Sequence, residues 1–276
     1  MENIRQYMQS VSKKTIYIYP SYNEYDCIDC GCSKFGGVPD VPDGFIWPVY
    51  CGEGYDGETK ERPLAFLLQI NCKDIAAYDT ENIYPHSGVL SFFYEMCSTC
   101  GGNDPNHKGS SRVYYFEDSS ALSPATAPDE ISDEYIYKQA AASVLLNDDY
   151  PDPIIIRNLS PDEHNIYDKE YFRFFIDKIP NNMSKLGGYA MYIQNFDLEE
   201  ECELVSRGIY TGNGKYEITD EIRKASEDWT MLFQLNTIAP LGLEIGPNAG
   251  SLYWYIRKQE LAQKNFKNTW TIFQTS

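Results

Sequence analysis

Short apolar runs recur along the chain, each closed by Gly, Pro or Asn, which is the punctuation of a sheet protein with tight connections. Their β-branched and aromatic content predicts strands over 15–19, 64–70, 89–94, 112–116, 153–157, 189–193, 230–235, 252–256 and 269–273. Helical periodicity is scarcer. Ile4, Tyr7, Met8 and Val11 fall on one face of a helix within 1–13, expected to pack as a lid; 133–143, 161–177, opened by Asp162 and Glu163, and 257–266 are further helix candidates. The Ser/Ala/Pro-rich stretch 119–128 is expected to be a surface loop. The pattern predicts a mainly β fold with a few helices (α+β) and largely antiparallel sheets.

The chain also resembles itself. Ser33-Lys34-Phe35-Gly36-Gly37 recurs as Ser184-Lys185-Leu186-Gly187-Gly188, and the run from Leu64 to Asn71 recurs from Trp229 to Asn236. Gly88-Val89-Leu90-Ser91-Phe92-Phe93-Tyr94 is answered by Gly250-Ser251-Leu252-Tyr253-Trp254-Tyr255-Ile256. Three matches in one order imply internal duplication of a β-rich unit. The chain therefore reads as one duplicated domain over 1–276, with repeat one at about 15–120, a connector at about 121–180 and repeat two at about 181–276. Gly-Gly permits positive φ or close backbone approach, and Gln69 and Gln234, each inside an apolar strand, need buried partners or a ligand.

These residues resemble the YwqG-like bacterial proteins of unknown function. The shared pattern stands here as Ser33 to Pro48, with Pro39, Pro42 and Trp47; as Leu67 to Asn71; and as Gly88 to Phe93, followed by Arg112-Val113-Tyr114-Tyr115. Leu186-Gly187-Gly188-Tyr189, Ile193-Gln194, Gly250 to Trp254 and Trp270 extend it, so that it spans about 30–275. The resemblance implies a roll-like β fold of two similar units with no established catalytic residues. By association with toxin–immunity neighbourhoods, it also implies a protein that neutralises a toxin.

Composition narrows the partners. A formal charge of −18 repels nucleic acid and anionic membranes and favours a basic protein or a cation. The first residues lack the basic start and apolar run of a secretory signal, and no stretch approaches the roughly 20 apolar residues of a membrane span, so a cytoplasmic location is expected. In a reducing compartment the eight cysteines read as thiols or metal ligands.

Two segments read Cys-x-x-Cys-Gly: Cys27-Ile28-Asp29-Cys30-Gly31 and Cys97-Ser98-Thr99-Cys100-Gly101. Such knuckles aim thiolates at a tetrahedral zinc, so Cys27, Cys30, Cys97 and Cys100 are the candidate ligands of one structural zinc, with Cys32 or His107 as substitutes. Free thiols, disulfides or redox chemistry are the alternatives. Cys51, Cys72 and Cys202 read as ordinary thiols. Gly52-Glu53-Gly54-Tyr55-Asp56-Gly57 lacks the strand-and-helix setting of a phosphate loop. Hydrolase and metalloprotease signatures are missing, and the acidic run 197–201 reads as a solvated face. The expected function is therefore a non-enzymatic interaction protein, immunity-like towards a basic partner. The alternative is a small-molecule-binding or enzymatic β-rich domain, with a pocket formed by Lys34, Gly36, Gly37, Lys185, Gly187, Gly188, Gln69 and Gln234.

Overall fold

The structure, a computed structural model, describes residues 2–22, 28–98, 100–180 and 182–276. Its first half contains α1 (Glu2–Val11), β1 (Lys13–Pro20), β2 (Lys34–Phe35), β3 (Asp40–Pro42), β4 (Val49–Glu53), β5 (Thr59–Pro63), β6 (Ala65–Asn71), α2 (Cys72–Ala76), β7 (Val89–Tyr94), β8 (Ser111–Phe116) and β9 (Leu122–Pro124). Then follow β10 (Ala140–Asp149), α3 (Pro161–Lys178), β11 (Ser184–Leu186), α4 (Leu198–Ser206), α5 (Asp220–Ser226), β12 (Trp229–Asn236), β13 (Gly250–Arg257), α6 (Lys258–Ala262) and β14 (Trp270–Thr275). Among the described residues no helix is long and apolar enough to cross a membrane.

Ten strands form one antiparallel sheet in the order β14-β13-β12-β11-β1-β10-β2-β6-β7-β8, beside two-stranded ribbons β3–β9 and β4–β5. The order is symmetric about the β1–β10 pair. Each half nevertheless borrows its first strand from the other: β1 pairs with β11, and β10 pairs with β2. Every residue of β7 is buried and β6, β12 and β13 are nearly so, which is why these strands read as mostly apolar runs without strict alternation. The sheet curls until its halves meet, with the Phe92 ring 5.0 Å from Phe233 and 5.4 Å from Trp254. Its two edges nearly close into a barrel. The Ser111 and Thr271 hydroxyls lie 2.6 Å apart, and the Phe273 amide donates to the Gly101 carbonyl at 3.0 Å.

The recurring sequence motifs have one local cause. β6–β7 shifts register between Phe66 and Leu68, and β12–β13 between Met231 and Phe233, so Leu67 and Leu232 bulge at matching places. The freed Leu67 carbonyl accepts from the Gly36 amide at 2.9 Å and that of Leu232 from Gly187 at 3.2 Å. Both glycines have left-handed φ, near +61° and +62°. A Cβ on Gly36 would stand 2.3 Å from the Lys138 carbonyl oxygen, so no side chain fits.

α1 lays Ile4 and Met8 on Tyr167 and Tyr171 of α3. α3 begins where its sequence says: Ser160 caps it, Glu163 returns the bond to the Ser160 amide, and Pro161 opens the first turn. Four expected elements differ. Over 133–143 only a short 3₁₀ turn, Asp133–Tyr135, precedes strand β10, because Tyr135, Ile136 and Tyr137 alternate in exposure where helical spacing was expected. Within 153–157 a Pro-started 3₁₀ turn, Pro153–Ile155, stands in place of a strand, and 189–193 form a loop whose Met191 amide donates to Gln234. The helix expected over 257–266 is confined to Lys258–Ala262.

Candidate ligand-binding site

The duplicated Lys and Gln are drawn inside. Lys34 pairs with Gln69 across β2–β6, and Lys185 with Gln234 across β11–β12. Lys34 Nζ meets the Asp40 carboxylate at 3.0 Å, and Lys185 Nζ meets Asp149 at 2.8 Å, with all four side chains at most 4% exposed. Asp40 also accepts from the Gly31 amide at 2.8 Å and from Gln69 Nε2 at 2.6 Å. Asp149 also accepts from the backbone amides of Tyr189 at 2.8 Å and Tyr150 at 3.1 Å.

The glutamines do matching work, Gln69 Oε1 accepting from the Asp40 amide and Gln234 Oε1 from the Met191 amide. The carboxylate partners come from different places: Asp40 lies just after Gly36-Gly37, whereas Asp149 ends β10. These groups hold the two halves of the sheet. Of the duplicated glycines, Gly187 and Gly188 border a cavity of about 470 Å³ that Lys13, Glu81 and Tyr84 also line.

Cys27 lies outside the described residues. Cys30 is largely exposed and donates to the Leu122 carbonyl at 3.2 Å, and partial desolvation of its sulfur together with the Asp40 charge raises its pKa. Cys100 is buried and accepts from the Ser98 hydroxyl at 3.0 Å. Cys97 is half-buried, its thiol pushed up to about 11 by burial and the Glu95 charge. Burial also raises Cys32, beside Asp74. His107 Nδ1 accepts from the Gly102 amide at 3.2 Å, and burial lowers its pKa. The described residues bring no three potential ligands into one cluster. Gly102 has a duty of its own at the barrel seam, where a Cβ would stand 2.1 Å from the Thr271 carbonyl oxygen.

That seam also opens a cavity of about 570 Å³. The loop after β7 supplies Glu95 and Met96, the turn before β10 supplies Tyr135 and Tyr137, and the loop 242–247 and Phe273 of β14 close it from the other half. Glu95 forms its floor and is 1% exposed. One of its oxygens accepts from the Cys97 amide at 2.7 Å, while Oε2 is buried with no partner among the described residues. Burial raises the Glu95 pKa. The buried Tyr137 hydroxyl likewise has no partner. Two such groups in one cavity are costly, about 1–3 kcal/mol each, unless something that enters the cavity satisfies them.

Around that floor stand the rings of Tyr55, Tyr94, Tyr135 and Phe273, and the exposed Glu134 and Glu244 mark the rim. The described lining has three carboxylates and no Lys, Arg or His. Negative charge with several aromatic faces suits a cation, held by charge and by ring quadrupoles together. Sequence reasoning misses the site because the spacing over 133–143 predicts a helix. The available signals were the Tyr135/Tyr137 alternation and a carboxylate, Glu95, placed directly after an apolar strand.

Fold and site together define a β-rich protein whose ten-stranded sheet is pinned by two buried Lys–Asp pairs and opens an acidic, aromatic cavity at its seam. The chain belongs to the family described as Domain of unknown function (DUF1963), which matches residues 33–275. No curated protein matches the chain.

Proposed function

We propose that this protein is a non-enzymatic binding protein whose seam cavity takes an organic ammonium group. The observation that carries the reading is the buried, unpartnered Glu95 Oε2 beneath a ring of tyrosines. An alkylammonium placed there donates to Glu95 and lies against aromatic faces, a combination worth about 2 kcal/mol or more when desolvated. The chain's charge of −18 concentrates cations around it.

The same chemistry arises from a free amine or from a lysine side chain on a basic protein, and the second source is the form an immunity-like role towards a toxin would take. Calorimetric titration with butylammonium, neutral butanol and a lysine-containing peptide separates these. The reading predicts binding of butylammonium and not butanol. Tighter binding of the peptide points to a protein partner. Equal affinity for butylammonium and butanol, or no binding of any probe, overturns the proposal.

We also propose one structural zinc on Cys27, Cys30, Cys97 and Cys100, in line with the two Cys-x-x-Cys-Gly spacings. About one zinc per chain in protein purified without chelator, lost in Cys97→Ser, supports it. Metal-free protein with freely titrating thiols overturns it.

A further inference from the structure

We infer that a second cleft, sharing no lining residue with the seam cavity, binds a phosphorylated small molecule that also carries hydroxyl or amine donors. This cleft, of about 800 Å³, lies between β8 and the segment joining α6 to β14. It gathers Lys108, Arg112, Lys264 and Lys267 on a chain of net charge −18. None of the four forms an ion pair among the described residues. Arg257, at its edge, is already neutralised by Glu203 and Asp228. Four converging cations repel one another, the single Glu260 carboxylate in the cleft does not offset them, and an anion there relieves the repulsion.

The backbone is shaped to hold these cations. Arg112 donates to the Ser111 carbonyl at 2.9 Å. Its guanidinium runs so close to Gly109, φ +101°, that a Cβ there would meet both terminal nitrogens at 3.0 and 3.1 Å. Lys264 adopts the left-handed conformation at φ 55°, uncommon for a lysine, with its ammonium 5.9 Å from the Tyr115 ring centre.

The fifth polar group sets the ligand's other half. Glu260 accepts from the side-chain amides of Asn265 and Asn268 through one oxygen, while its Oε2 is buried and unpartnered among the described residues. A bare phosphate offers that carboxylate nothing and repels it. A phosphomonoester with neighbouring hydroxyl or N–H donors satisfies the cations and Glu260 at once.

The test is calorimetry at low salt with inorganic phosphate, ribose 5-phosphate and adenosine monophosphate, on wild type and on Lys264→Asn/Lys267→Ala. Asn accepts left-handed φ and Lys267 is exposed, so the variant keeps its fold, which circular dichroism checks. The expected result is ribose 5-phosphate binding tighter than inorganic phosphate and weakening about tenfold or more in the variant. Adenosine monophosphate exceeding ribose 5-phosphate assigns a nucleotide, and equal affinity assigns a sugar phosphate; either supports the site. Glu260→Gln, which keeps an acceptor for the two asparagines, is expected to narrow the preference for ribose 5-phosphate over inorganic phosphate. Phosphate binding as tightly as ribose 5-phosphate, no binding of any probe, or binding unchanged in the variant overturns the inference.

Discussion

Replacing Lys185 by Met isolates what the buried ion pairs contribute. The substitution preserves length and apolar volume and deletes only the ammonium that sits 2.8 Å from Asp149. The carboxylate is then left at 0% side-chain exposure with two backbone N–H donors and no counter-charge. Breaking a buried pair from one side costs about 3–5 kcal/mol. For a chain this long, a midpoint shift of roughly 2 °C accompanies each kcal/mol, so the loss is expected at roughly 6 to 10 °C.

Lys185→Met/Asp149→Asn sharpens the reasoning, since a neutral amide requires no cation and its one oxygen keeps one of the two backbone donors, Tyr189 or Tyr150, which reach different oxygens of the carboxylate. It is expected to recover part of the loss. Thermal and urea unfolding followed by circular dichroism read both variants, with Arg5→Ala at the exposed Arg5–Glu170 pair as the control that leaves the midpoint unchanged. A loss under about 1 kcal/mol for Lys185→Met, or a double variant weaker than the single, would refute the assignment of Lys185 to a structural pair.

Other expectations follow from the same contacts. Gly188→Ala forces a Cβ to 2.3 Å from Asp149 Oδ2 at φ +75°, so it is expected to lower the unfolding midpoint as clearly as Lys185→Met, and an unchanged midpoint would contradict the packing described. Glu95 has a raised folded pKa; the folded state therefore holds its proton more tightly than the unfolded state, and stability is lost as pH rises through that folded value. Glu95→Gln is accordingly expected to be more stable than wild type at pH 8 and indistinguishable from it near pH 4, as read by urea midpoints across pH. In native protein treated with chelator, Cys30 and Cys51 are expected to react with a thiol reagent first, and Cys72, pushed up to about 12 by burial, together with fully buried Cys202, only after unfolding; mass spectrometry of partly labelled protein reports the order.

Much of the sheet was legible because its central strands carry their own signal. Leu64 to Ile70 is apolar but for Gln69 and Leu252 to Ile256 carries only aliphatic and aromatic side chains, and the repeated Gly-Gly announces a positive-φ turn wherever it recurs. The strand exchange was not legible, since β1 and β10 pair with the opposite half through register alone, and nothing local in Thr15 to Tyr19 names its neighbour. Lys34 and Lys185 looked like ligand groups because an isolated lysine beside Gly-Gly has no visible partner in sequence. Their carboxylates arrive from unlike positions, Asp40 six residues on and Asp149 thirty-six residues back. The seam cavity draws on loops separated by more than a hundred residues, a convergence that only the near-closure of the sheet creates.

The most direct test of the seam-cavity reading is the proton balance of amine binding. Because Glu95 holds a proton more tightly than an exposed glutamate, an ammonium that pairs with it must displace that proton at pH values below the raised pKa. Calorimetry of butylammonium binding in two buffers of different ionisation enthalpy measures the displacement. The expected result is proton release that grows as pH falls towards the raised Glu95 value, and that vanishes in Glu95→Gln together with most of the affinity. Binding with no proton release at any pH, or full affinity retained in Glu95→Gln, would contradict the account.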